Sequence, residues 1–145
     1  MCYNICQMSK NVLKRMLGYV ELVKAMKPAR QTGRFYHATF ICKKRKVIAI
    51  GFNNMNKQLP TSKWGEYESE KNGKVYVPCV HSELSAIIKC GHEDCSRFDF
   101  FNIRINNKGE IACSKPCINC QRVLKQVGYN KVYYFDDDGR LCFLS

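Results

Sequence analysis

Helical and strand-like hydrophobic periods take turns along this chain, and their order predicts an α/β layered domain. Three observations carry the prediction: an amphipathic 3.6-residue period near the N-terminus, a pair of β-rich runs around a charged turn, and two later helical runs, each next to a strand-like segment. At 145 residues the chain suits one domain, 1–145, long enough to bury a core without disulfide staples.

The elements follow in order. Residues 9–27 place Leu13, Met16, Leu17, Val20 and Val23 on one helical face, with Ser9 available as N-cap and Pro28 as the stop. YHATFICKKRKVIAIGFN reads as an antiparallel hairpin around the polar turn Lys43 to Lys46. Met55 to Tyr76 is polar and without a period, so a long loop holding Trp64 is expected there. A helical pattern runs from His81 through Lys89 and stops at Gly91. FFNIRIN is a strand in which Phe101, Ile103 and Ile105 alternate with polar residues before the turn Asn107-Lys108-Gly109. Pro116 stands where a first-turn proline would, ahead of the helical run CINCQRVLKQVG that ends at Gly128. KVYYF is the next strand, and DDDG separates it from LCFL, a candidate final strand.

Composition narrows the function. The first residues lack the apolar run of a secretory signal, and no stretch has the length to cross a bilayer, so a membrane role is excluded and a reducing, cytoplasmic compartment is expected. Ten cysteines there read as core residues, metal ligands or nucleophiles rather than a disulfide framework. The net charge of +12 is uneven: residues 1–50 hold eleven Lys or Arg against one acid, Glu21. That admits a polyanion partner, although a solvated helix face and a charged turn would give the same count.

Two motifs stand at helix starts: His81-Ser82-Glu83 and Pro116-Cys117-Ile118-Asn119-Cys120. A Cys-x-x-Cys at a helix N-terminus brings both sulfurs toward one point and favours the thiolates that bind metal. His81 can complete a Cys₂His set whose fourth tetrahedral position stays open, as in catalytic zinc sites. Glu83 is then placed as a general acid/base beside that position. A structural zinc or a redox pair is the alternative for the two cysteines alone.

Together the motifs form H-x-E…P-C-x-x-C, and the chain resembles the cytidine and deoxycytidylate deaminase superfamily over nearly its whole length. The resemblance implies a three-layer α-β-α fold with a mixed central sheet of about five strands and a zinc cofactor. It puts the metal ligands at His81, Cys117 and Cys120, and the proton shuttle at Glu83. Gly51-Phe52-Asn53 looks like the Gly-aromatic-Asn whose asparagine contacts the sugar, so Asn53 is a candidate substrate contact, with Ser82 and Ser114 beside the motifs. Ser82 replaces the usual alanine, and Cys113-Ser114 stand where polynucleotide deaminases show Ser-Trp, so an aromatic wall for a flipped base is missing. Cys113 is expected to pack. Cys79, Cys90, His92 and Cys95 have the residue types of an accessory zinc site without matching its spacing.

The same fold would put KPARQTGR toward the active-site mouth, so Arg30 and Arg34 are candidates for a phosphate grip, with Lys27 beside them. Trp64 and Tyr67 either stack a base or anchor their loop. The expected reaction is hydrolytic deamination of cytosine on a free pyrimidine nucleotide such as deoxycytidylate. Single-stranded DNA or RNA is the alternative substrate, and a non-catalytic zinc-bearing nucleic-acid-binding module the alternative of another class. Proteins of similar fold commonly form homo-oligomers.

Overall fold

The structure is a computed structural model that describes residues 2–4, 10–26, 35–53, 66–69, 73–76 and 81–145, the short segments 2–4, 66–69 and 73–76 by backbone alone. Helix α1 (Lys10–Met26) is followed by the hairpin β2 (Phe35–Lys43) and β3 (Lys46–Phe52), then α2 (Ser82–Cys90), β6 (Asp99–Asn106), α3 (Ile118–Val127), β7 (Lys131–Phe135) and β8 (Leu141–Leu144). Three short strands complete the list: β1 (Cys2–Asn4), β4 (Glu66–Ser69) and β5 (Gly73–Tyr76).

The main sheet has the order β1-β8-β7-β6-β2-β3. Only β6 and β7 pair in parallel, joined through α3, and every other neighbour is antiparallel. The sheet is therefore mixed, with six strands where about five were expected, because Cys2–Asn4 adds an edge strand to β8. One correction concerns the polar segment expected to be one long loop: Glu66–Ser69 pairs with Gly73–Tyr76 in a separate hairpin. Its strands read as polar because they lie outside the main sheet.

Both faces of the sheet are covered, which gives the expected three layers. On one side Met16, Tyr19, Val20 and Val23 of α1 pack on Phe40, Phe101 and Ile103, with Tyr19 stacked on Phe40 at 4.4 Å. On the other, Leu84 and Ile87 of α2 and Val123, Leu124 and Val127 of α3 cover Ile41, Phe100, Val132 and Tyr134. Burial on both faces is why KVYYF carries no polar alternation. Strand alternation then assigns β2: Ala38, Phe40 and Cys42 point to α1, while Thr39 and Ile41 point to α2 and α3.

Gly51 seats α2 on the sheet. A Cβ there would lie 2.7 Å from Ala86 Cα and closer still to Ala86 N and Ser82 O. The missing side chain thus lets the helix backbone lie directly on β3, which fixes the height of the α2 N-terminus above the sheet.

Among the described residues no helix is long and apolar enough to cross a membrane. The described cysteines 42, 90, 95, 113, 117 and 120 are free thiols.

Candidate active site

The N-termini of α2 and α3 meet over one end of β2. His81 is the N-cap of α2 in extended conformation, and Cys117 is the N-cap of α3, its sulfur accepting the Cys120 amide at 3.4 Å. Pro116 therefore precedes the cap instead of filling the first helical turn, and its carbonyl accepts Gln121 Nε2 at 2.8 Å. Helix geometry alone places Cys120, at the third position, over its own cap residue.

His81 Nδ1 lies 3.6 Å from Cys117 Sγ and 3.3 Å from Cys120 Sγ. A tetrahedral zinc with ordinary Zn–S and Zn–N bonds sets its sulfur and nitrogen ligands about 3.5 Å apart. The two separations bracket that value, and the donor atoms of His81, Cys117 and Cys120 are the one group among the described residues that could hold a metal ion. Two sulfurs and one imidazole suit zinc, and three ligands leave a position open.

The electrostatics agree with that use. Hydrogen bonds from Cys120 and His81, outweighing burial, push the Cys117 thiol down to about 4. The Cys120 thiol is pushed up, first by its bond to the Cys117 sulfur and then by burial, so the metal-free pair shares one negative charge. His81 is raised, chiefly by its bond to Cys117.

Glu83 is 2 % exposed, in the first turn of α2. Burial pushes its carboxyl up, but the charge of His37, hydrogen bonds from Cys120 and Ser82 and the charge of His81 pull it below its ordinary value. His37 is held down by burial, with Arg104 and His81 acting in the same direction against Glu83. Its Nε2 comes within 3.3 Å of Glu83 Oε1 without hydrogen-bond alignment.

His37, which the sequence did not single out, lies beside Glu83 at the candidate site. The available signal was a histidine inside an apolar strand, two residues before another polar one. Asn53 lies next to it: its Oδ1 accepts the His37 amide at 3.0 Å, and its own amide donates to His37 O at 3.1 Å. Asn53 thereby ties the end of β3 to the site.

Two further candidates, Ser82 and Ser114, have hydroxyls bonded within the protein. Ser82 is fully buried, its hydroxyl 2.8 Å from Thr39 Oγ1 and donating to Glu83 Oε1 at 2.9 Å. Ser114 is 1 % exposed, its hydroxyl donating to Asn102 O at 2.8 Å and accepting the Phe135 amide at 2.9 Å. Each hydroxyl is used within the protein, since both face the sheet rather than the open side. Arg30, Arg34 and Trp64, with Lys27 and Cys79, lie outside the described residues. Cys113 is not part of the metal group; its carbonyl accepts Arg104 Nη1 at 3.3 Å. His92 packs edge-on against Phe98 at 5.1 Å, and no second metal group occurs among the described residues.

With this geometry in hand, residues 16–136 match the family described as "Cytidine and deoxycytidylate deaminase zinc-binding region", and the chain belongs to that family. Similar solved structures include the dCMP deaminase of cyanophage S-TIM5 in complex with dCMP and dUMP, at 18 % identity and TM-score 0.53, covering 90 % of this chain and 85 % of that one. The apo form of the same enzyme is similar at 17 % identity and TM-score 0.51, covering 89 % and 86 %. At such identities the likeness is one of fold. No curated protein matches the chain.

Proposed function

We propose that the chain is a zinc-dependent hydrolytic deaminase of cytosine on a free pyrimidine nucleotide, with deoxycytidylate the leading candidate. The observation that carries this reading is a buried carboxylate, Glu83, two residues from one donor of a group of three, His81, Cys117 and Cys120, that could hold a metal ion. His81 Nδ1 and the sulfurs of Cys117 and Cys120 would hold the zinc. When bound, zinc supplies a Lewis acid that lowers the pKa of water from 15.7 to about 7. Glu83 accepts one proton from the attacking water and passes it to the ring nitrogen, then takes the second from the new hydroxyl on the ring carbon and gives it to the departing amine, so cytosine and water become uracil and ammonia. Asn53, its Oδ1 held by His37, offers its amide nitrogen to a sugar hydroxyl. Arg30 and Arg34 are assigned the phosphate and Trp64 the mouth of the pocket.

The distribution of basic residues supports a small substrate. The hairpin turn of Lys44 and Arg45 lies seven residues along β2 from His37, about 23 Å of strand. Arg45 shares a groove with Lys14 and Arg15 of α1 on the α1 side of the sheet, away from the metal group. Lys14, Arg15, Lys44 and Arg45 are thus remote from the metal group. The free thiols accord with a reducing, cytoplasmic setting, and a homo-oligomer remains the expected assembly.

The test is ammonia release and product chromatography with cytidine, deoxycytidine, their monophosphates and a cytosine-containing oligonucleotide, beside Glu83→Gln. Turnover of a monophosphate that falls by about 10²–10⁴-fold in the variant is the expected outcome. Activity confined to the oligonucleotide would replace the free-nucleotide reading, and an active Glu83→Gln would remove the acid/base assignment.

A further inference from the structure

Behind Glu83, on the α2 and α3 side of the sheet, three polar residues are fully buried where apolar packing would be expected: Thr39, Ser82 and Asn102. Thr39 and Asn102 are directly opposite each other on β2 and β6. Thr39 Oγ1 donates to Asn102 Oδ1 at 2.6 Å and lies 2.8 Å from Ser82 Oγ. Ser82 in turn reaches Glu83 Oε1 at 2.9 Å. At the other end Asn102 Nδ2 donates to Ser114 O at 3.3 Å, and Ser114 is anchored to β6 and β7 through its hydroxyl.

The contacts form one continuous line, Ser114–Asn102–Thr39–Ser82–Glu83. It crosses two central strands and joins the segment three residues ahead of Cys117 to the first turn of α2. Both halves of the site, the cysteine side and the carboxylate side, are therefore referenced to the same pair of strands. Burying an amide and two hydroxyls is costly unless each is bonded, so a line of this kind holds its heavy atoms in place. It engages Oε1 from the sheet side.

We propose that Thr39, Ser82 and Asn102 are positioning residues that orient the Glu83 carboxylate relative to the cysteine-bearing loop. The inference rests on the proposed acid/base role of Glu83. None of the three residues touches substrate. Their effect is expected on turnover rather than on binding, because a carboxylate displaced by a fraction of an ångström still leaves the pocket open. Ser82 matters most for this chain: an alanine at that position would leave Glu83 without the line.

The experiment compares Thr39→Val, which keeps shape and removes the hydroxyl, with Thr39→Ser, which keeps the hydroxyl, alongside Ser82→Ala and the double variant Thr39→Val/Ser82→Ala. Steady-state kinetics use the monophosphate substrate, with zinc per chain and melting curves recorded for each protein. Thr39→Val and Ser82→Ala are expected to lower kcat about ten- to a hundred-fold with KM unchanged. Thr39→Ser restores kcat, and the double variant is no worse than the poorer single, since both break the same line. Should Thr39→Val fail to fold, Ser82→Ala carries the test alone. Unchanged kcat in Ser82→Ala, or a loss confined to KM, overturns the proposal when Glu83→Gln is inactive in the same assay. An active Glu83→Gln instead overturns the acid/base reading on which the proposal stands.

Discussion

Replacing Gly51 by alanine tests whether the seat of α2 on β3 sets the site. The added Cβ would stand 2.7 Å from Ala86 Cα, where ordinary contacts begin at 3.4 Å, so the helix must retreat by at least about 0.7 Å, and further to clear Ala86 N and Ser82 O. All three atoms are backbone, and no rotamer change relieves them. Overpacking of this kind costs about 1–3 kcal/mol. For a chain of this size that lowers the melting temperature by about 2–12 °C. The retreat also moves Glu83 and the capping His81, and a displacement approaching 1 Å costs up to about 10²-fold in rate.

The assay is a thermal melt followed by circular dichroism, with zinc content and ammonia release on the same samples. Gly18→Ala is the control of opposite sign. Gly18 is exposed in the middle of α1 with nothing within 4 Å of its absent Cβ, so alanine should stabilise by up to about 1 kcal/mol. If Gly51→Ala melts within a degree of the parent and keeps full activity, the helix is not seated through that glycine, and the reasoning fails.

Other outcomes follow from the same geometry. In metal-free protein the Cys117 thiol, down at about 4 beside Cys120 and His81, should be alkylated by iodoacetamide at pH 6, with zinc protecting it. Cys95, up at about 12 through burial, should stay unlabelled until the chain unfolds; peptide mass spectrometry distinguishes the two. Asp136 closes the turn between β7 and β8 by accepting the amides of Asp138 and Arg140, each at 2.9 Å. Burial acts upward on it, but those amides and Arg140 hold its carboxyl below the usual 3.8. A folded value below the unfolded one means stability that is present above 3.8 and lost as pH falls through the folded value. Asp136→Asn should therefore melt lower than the parent at pH 7 and converge with it as the pH falls below the folded value.

The parts of the site that could be read from sequence are those whose geometry is local. His81 and Glu83 stand at the start of α2, Cys117 and Cys120 at the start of α3, and the two helix ends bring His81 and both sulfurs together. The strands of the main hairpin were equally legible, because Lys43 to Lys46 interrupts two β-rich runs. What escaped depends on contacts distant in sequence. Thr39 and Asn102 are 63 residues apart and meet only through the β2–β6 register. Ser114 neighbours the cysteine motif in sequence, but the bond of its hydroxyl to Asn102 O depends on the strands. The three residues of β1 were too short for any period to show, and only their pairing with β8 makes them a strand.

The buried line behind Glu83 has a further consequence when its hydrogens are counted. Three oxygen–oxygen contacts, at 2.6, 2.8 and 2.9 Å, are served by two hydroxyls with one hydrogen each, while the Asn102 amide is turned to Ser114. With Glu83 ionised, one contact has no hydrogen in it. A hydrogen arriving on Oε1 lets Ser82 turn toward Thr39 and Thr39 toward Asn102, and every contact is then filled. The lattice of bonds is thus complete only in the loaded state of the acid, which works against the downward pull of the surrounding charges. A carboxyl drawn both ways can take up a proton and give it back, as the acid/base role proposed for Glu83 requires.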